Sequence, residues 1–120
     1  TVLDFKTGKA FISWGTANSD EDKVKLHKYR QQLIIYKLLL ENSTHYNDKP
    51  VGTIALWFTE EDPIVELSLD ATNDEIERTK KLIQAVYQKI INLDFPDISR
   101  YGTTHKGLLE FEEDLIEGIV

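Results

Sequence analysis

The 120 residues contain no cysteine. Without thiolates the chain can form no disulfide framework, no thiolate zinc site and no iron–sulfur cluster. The absence fits a reducing compartment, so we expect a cytoplasmic protein. The sequence also lacks a signal segment and any apolar run near the roughly 20 residues of a membrane-spanning helix. We therefore expect no membrane partner.

Hydrophobic residues make up 41% of the chain and charged residues 29%, a balance typical of one globular domain. A chain of this length buries roughly two thirds of its unfolded surface, enough for a real core. It begins at Thr1, without a methionine, directly in an apolar stretch that predicts a core strand. Natural domains seldom begin in this way, so we expect a piece of a longer protein.

The formal net charge of −7 argues against binding to nucleic acid, whose backbone attracts basic surfaces. The charge is unevenly distributed, however. Residues 1–49 hold eight Lys or Arg against six acids, whereas residues 50–120 hold six against fifteen. The first part could face a polyanion while the second faces solvent or a basic partner, although such a split also arises by chance.

The order of predicted elements is strand-helix-strand-strand-helix-helix. Hydrophobic patterning, caps and turn residues place these elements at about residues 2–6, 20–42, 51–58, 64–69, 72–92 and 106–119. A turn is predicted at 47–50 and a hairpin connection at 59–63. A parallel crossover followed by an antiparallel strand gives an α/β fold with a mixed sheet and flanking helices.

Three details of packing are also predicted. The second half of the first long helix is apolar nearly all round, so we expect it to be buried. The second long helix should pack on the sheet through its apolar stripe. Residues 1–100 form the main body, and residues 101–120 form a linker and an acidic C-terminal helix whose docking partner could lie outside the chain.

The first strand carries a carboxylate and an ammonium group two positions apart. Side chains alternate along a strand, so Asp4 and Lys6 share one face, an arrangement that suits a metal ion and a phosphate. The alternative is a plain surface ion pair. On the first helix, Gln32 and Tyr36 share a face at the i, i+4 spacing, and a buried amide needs partners; alternatively, Gln32 bridges backbone groups at the surface.

Histidines and serines offer no further catalytic pattern. The three histidines, His27, His45 and His105, have no spacing in common, so no histidine metal cluster is predicted. No serine lies in a nucleophile elbow. The chemistry of the chain is therefore expected at the first strand and the first helix.

Together these two segments resemble the C-terminal part of a PD-(D/E)XK nuclease of the RecB-like kind, found in helicase–nucleases and related exonucleases. That family has a strand with the pattern apolar-Asp-aromatic-Lys-Thr-Gly, here residues 3–8, and then a helix with Gln-Leu-x-x-Tyr, here residues 32–36. The likeness spans roughly residues 1–95. It implies a partial restriction-endonuclease-like core.

The resemblance assigns roles to single residues. It implies that Asp4 is a metal-binding carboxylate, that the carbonyl of Phe5 is a metal ligand, and that Lys6 positions or activates the attacking water. Gln32 and Tyr36 match the helix motif beside the site. The implied cofactor is Mg²⁺ or Mn²⁺, and the iron–sulfur cluster of some relatives is excluded because its cysteines are missing.

The resemblance also implies what the chain lacks. A second carboxylate, and often a histidine, lie upstream of the strand in that family, so we expect this fragment alone to be inactive. The expected function is metal-dependent DNA hydrolysis, as an exonuclease, beside an upstream helicase or nuclease segment of the same polypeptide. One alternative is a non-catalytic module of the same fold that binds DNA or docks a protein. A plain α/β domain with a structural Asp4–Lys6 pair is the other.

Overall fold

Three strands and three α-helices follow one another in the predicted order within the part of the chain that the structure describes. This structure, a computed structural model, describes residues 1–15, 17–43 and 51–120. The predicted turn at 47–50 and His45 lie outside these ranges. The elements are β1 (Val2–Lys6), α1 (Asp20–Glu41), β2 (Ile54–Phe58), β3 (Val65–Leu69), α2 (Asn73–Ile91), a short 3₁₀ helix (Ser99–Tyr101) and α3 (His105–Glu117).

The three strands form one mixed sheet in the order β1-β2-β3. Strand β1 runs parallel to β2, and β3 runs antiparallel to β2, which confirms the predicted α/β architecture. As the middle strand, β2 is paired along both edges, and four of its five residues are buried, which agrees with its nearly continuous apolar run. Strand β3 alternates buried and exposed residues, as expected for a strand covered on one face.

Helix α1 lies on one face of the sheet. Its buried residues Leu26, Leu33 and Ile34 belong to the same core as Leu56 and Phe58 of β2. The helix begins at the predicted cap, where the Ser19 hydroxyl accepts a hydrogen bond from the Asp22 amide at 3.1 Å. The predicted burial of its whole second half is wrong at Leu39, which is 64% exposed, because nothing in the described residues covers that side.

Helix α2 does not pack on the sheet as predicted. It packs against α1 and α3, because α1 already covers the helical face of the sheet, and α2 meets the central core near its first turn, through Ile76. Much of its apolar stripe stays exposed, including Tyr87 and Ile90. No helix in the described ranges combines the length and hydropathy that crossing a membrane requires.

Helix α3 docks on this same body through a buried carboxylate. Glu112, only 5% exposed, accepts hydrogen bonds from His27 Nε2 and Gln31 Nε2, each at 2.7 Å, and Arg78 lies 3.6 Å from it. Burial works to raise the pKa of Glu112, but the hydrogen bonds and the positive charge around it outweigh burial and hold the pKa below its ordinary value of 4.5.

The segment before α3, which was predicted as a linker, contains the 3₁₀ helix and the buried Tyr101. The Tyr101 hydroxyl donates to Asp114 of α3 at 2.6 Å. Thr104 then caps α3 by accepting from the Gly107 amide at 3.0 Å. Residues 99–104 therefore form a folded connection that positions α3 against α1 and α2.

The lowered pKa of Glu112 predicts an acid-dependent contribution to stability. Because its pKa is lower in the folded chain than in the unfolded chain, its contribution is present above pH 4.5 and is lost as the pH falls through the folded pKa. Glu112→Gln should lower the free energy of unfolding by about 2 kcal/mol at pH 7, since it weakens charged hydrogen bonds to a buried group. Urea unfolding at pH 7, 5, 4 and 3 measures this difference.

The matched control is Glu113→Gln on the same helix, where the carboxylate is 51% exposed. Its effect should stay within about 0.5 kcal/mol at every pH. A Glu112→Gln difference that remained constant from pH 7 to pH 3 would contradict the role given to this carboxylate.

Candidate active site

Strand β1 presents Asp4 and Lys6 toward α1. The alternation of side chains along the strand puts Phe5 on the opposite face, where it is 61% exposed and contacts Trp57 of β2 edge-on, with 5.9 Å between ring centroids. The side chains of Lys6 and Asp4 are only 18% and 17% exposed. The charged pair predicted from the sequence is therefore a largely buried pair between sheet and helix.

Three contacts of the Lys6 ammonium group lie within the described residues. It donates a hydrogen bond to Gln32 Oε1 at 2.8 Å, and it lies 3.0 Å from Asp4 Oδ2. On a further side it faces the ring of Tyr29, 4.5 Å from the ring centroid. These contacts join the strand motif to the helix motif, 26 residues apart in the chain.

The side chain of Gln32 continues this network to Tyr36. Lysine has only donors, so Gln32 must turn its oxygen toward Lys6 and its amide nitrogen toward Tyr36. The Gln32 Nε2 atom accordingly donates to the Tyr36 hydroxyl oxygen at 3.0 Å. Since that oxygen acts as the acceptor, the Tyr36 hydroxyl keeps its own hydrogen for another acceptor. All four predicted catalytic residues thus form one connected group.

Asp4 keeps one oxygen that no hydrogen bond satisfies. Its Oδ2 atom is buried and has no hydrogen-bond partner in the part of the chain that the structure describes, although Lys6 provides an ionic contact. A buried acceptor of this kind fits a ligand of a hard divalent cation. No group of three or more acidic or histidine residues that could hold a metal occurs among the described residues, so Asp4 would be one member of a larger ligand set.

The backbone of β1 contributes to the same region. The Val2 amide donates a hydrogen bond to the Thr53 carbonyl at 2.7 Å, and the Lys6 carbonyl accepts one from the Thr59 amide at 3.0 Å. Both backbone groups therefore point toward β2. Because backbone groups alternate in direction along a strand, the Phe5 carbonyl points away from β2, toward the outer edge of β1, which pairs with no other described strand. The oxygen predicted as a metal ligand is thus not consumed by the ladder between β1 and β2.

Tyr29 also belongs to this group, although the sequence motifs did not single it out. It lies in the apolar pattern of α1, which is typical of a core residue, and it packs against the core. The signal was nevertheless present, because Tyr29 precedes Gln32 by three positions and Tyr36 by seven, which places all three on one helix face. His27 and His105 also meet, with ring centroids 5.9 Å apart, but they lie at the α3 contact and not beside Lys6.

The hydrogen bond between Lys6 and Gln32 predicts a measurable coupling between strand and helix. In a double-mutant cycle of Lys6→Met and Gln32→Leu, the two changes should couple by about 1.5–3 kcal/mol, the range for a hydrogen bond to a charged group. The measurement is urea unfolding at pH 7. The control cycle uses Lys9→Met and Asp22→Asn, because Lys9 is 68% exposed, and its coupling should stay below about 0.5 kcal/mol. Equal coupling in the two cycles would contradict the site described here.

Comparison with known proteins identified no relative of this chain. No family model matches the chain, and none of the curated proteins or solved structures with which it was compared does. A functional conclusion must therefore be argued from Asp4, Lys6 and the helix residues that meet them.

Proposed function

We propose that this chain supplies one part of the active site of a metal-dependent DNA nuclease of the RecB-like PD-(D/E)XK class. The observation that carries the proposal is the 2.8 Å hydrogen bond from Lys6 to Gln32. Each motif by itself is short, and each has a plain structural explanation. Two short motifs that match one family in the same order and also meet at a partly buried cation are much less easily explained as coincidence.

The fold is compatible with the proposal in its coarse features. A mixed sheet with one parallel and one antiparallel pairing, flanked by helices, provides the strand-helix-strand frame on which the two motifs lie. A partial restriction-endonuclease-like core is part of this proposal. The basic excess of residues 1–49, the segment that contains both motifs, supports DNA as the substrate despite the acidic total.

Phosphodiester hydrolysis explains the residue types at the site. As water attacks phosphorus, negative charge grows on the non-bridging oxygens, and a preorganised cation beside them lowers the barrier. The Lys6 ammonium is such a cation, oriented by Gln32, and its contact with Asp4 places it next to the carboxylate that would hold metal. The Tyr36 hydroxyl can donate its hydrogen to a further oxygen of the substrate.

Mg²⁺ or Mn²⁺ would be held by Asp4 and the Phe5 carbonyl. Once bound, the ion would polarise the phosphate and lower the pKa of a coordinated water. The described residues do not complete its coordination, so the proposal requires a second carboxylate from elsewhere in the protein. The outer edge of β1 is paired with no strand of the described residues, so another segment could add there and supply it. Without that segment we expect the 120 residues to be inactive.

One observation favours a second function. Among the described residues, Asp4 belongs to no group of three or more acidic or histidine residues that could hold a metal ion. The chain would then be a nuclease-fold module that binds DNA or docks a protein without cutting. The same experiment separates this alternative from the first proposal, because such a module would degrade no DNA even when the whole protein is tested.

The proposal predicts that Asp4→Asn and Lys6→Met each abolish Mg²⁺-dependent DNA degradation by the full-length protein. Loss of about 100-fold or more is expected, since each removes a charge that acts on the transition state. The assay measures release of nucleotides from labelled DNA with Mg²⁺, with Mn²⁺ and with EDTA. ATP-dependent unwinding by an attached helicase, which belongs to the same proposal, should survive.

Lys9→Met is the control, because Lys9 is an exposed lysine close in sequence that pairs with Asp22. It should leave the rate within about twofold, as expected for a surface charge. Metal-dependent degradation that persisted in both site variants would overturn the nuclease assignment. Its absence from the unaltered full-length protein, with DNA binding retained, would favour the non-catalytic module.

A further inference from the structure

We propose that Tyr29 is a positioning residue that holds the Lys6 ammonium through the face of its aromatic ring. This inference rests on the proposed nuclease function for its catalytic consequence, but the contact itself can be tested independently. The observation is the distance of 4.5 Å between Lys6 Nζ and the centroid of the Tyr29 ring. A cation within about 6 Å of an aromatic face is attracted by the negative potential above the ring.

The Tyr29 ring supplies a contact to the Lys6 ammonium that the other neighbours of Lys6 do not provide. An ammonium group carries three hydrogens, and Gln32 Oε1, at 2.8 Å, accepts one of them. Asp4 Oδ2 lies 3.0 Å away but accepts no hydrogen bond from any described residue. The ring of Tyr29 provides a third contact with the ammonium group. The side chain of Lys6, held by these contacts, is only 18% exposed.

The contact with Tyr29 would matter more when Asp4 binds a divalent metal ion. A carboxylate shared with a divalent ion attracts the neighbouring lysine less strongly, because the ion neutralises much of its charge. Gln32 and Tyr29 are both neutral, and both are held on α1. They would keep Lys6 in place in that state, whereas Asp4 alone would not. Tyr29 therefore acts on the reaction through Lys6 and touches no reacting atom.

The ring face is the part of Tyr29 that the contact uses. No hydrogen bond of its hydroxyl group is seen within the described ranges, and the residue is partly buried beside the core. A residue that served only to fill space could be replaced by leucine with little consequence for Lys6. A ring that holds a cation can be replaced only by another ring.

The first test is NMR spectroscopy of the ¹³C,¹⁵N-labelled full-length protein. The ring should move the signals of the Lys6 ε-CH₂ protons upfield from those of the exposed lysines in the same spectrum. Tyr29→Leu should abolish this displacement and Tyr29→Phe should restore it. Tyr87→Leu, the same change at an exposed tyrosine on α2, is the matched control and should leave the Lys6 signals unchanged. The unaltered protein gives the decisive result even if Tyr29→Leu folds poorly, because Lys6 signals at ordinary positions would overturn the contact.

The second test is steady-state kinetics of DNA degradation by the same variants. Tyr29→Leu should lower kcat about tenfold with KM changed less than about twofold, the split expected when a charge that acts in the transition state is misplaced. Tyr29→Phe should rescue kcat. A Phe variant as impaired as the Leu variant would show that the hydroxyl matters and would overturn the proposal, as would an unchanged kcat in Tyr29→Leu. If the unaltered protein degrades no DNA, the proposed function fails, while the NMR result still decides whether Tyr29 positions Lys6.

Discussion

Helix α1 contacts the core beneath the sheet, helix α3 and the side chains of β1. The fold depends on these contacts, and α1 uses a different face for each of them. One face carries Leu33 and Ile34 into the core beneath the sheet. A second carries His27 and Gln31 to the buried carboxylate of α3. The face next to β1 carries the polar network around Lys6. The helix consequently lacks one clean apolar stripe, and its sequence looks more mixed than that of α2.

Partial burial of a cation explains why Lys6 is contacted from both the strand and the helix. Removing an ammonium group from water costs much more than any single contact returns, so such a group persists only when it is paired and hydrogen-bonded. Asp4 comes from the strand and Gln32 from the helix, and neither segment alone satisfies Lys6. The charge thereby couples the orientation of β1 to that of α1. A polar network that joins two elements in this way fixes the placement of its side chains.

Short-range physics was sufficient to predict the elements and the sheet pairing, through alternation along a strand, helical spacing, and caps such as Ser19. The grouping of Asp4, Lys6, Gln32 and Tyr36 came instead from the resemblance of the two motifs to a nuclease family. The strand motif and the helix motif point toward each other because a parallel crossover leaves α1 lying against the strand that precedes it.

Predictions about which surfaces pack against each other were less accurate. The apolar stripe of α2 is equally suited to a sheet and to another helix, and only the prior occupation of the sheet by α1 decides between them. Glu112 looked like one more acid on a solvated helix, because a buried carboxylate cannot be told from an exposed one without knowing that His27 and Gln31 face it. Tyr29 was hidden for a similar reason, since an aromatic residue in a helical stripe has the same pattern whether it packs against leucine or beneath a lysine.

Within the described residues no strand pairs with the outer edge of β1, which affects how the chain can associate in solution. The backbone groups of Leu3 and Phe5 point outward from the sheet, and the Phe5 ring beside them is exposed. An unpaired strand with an apolar side chain is a template onto which another strand can add, including the same strand of a second molecule. A strand added at this edge would pair the outward backbone groups of Leu3 and Phe5 and cover the exposed Phe5 ring.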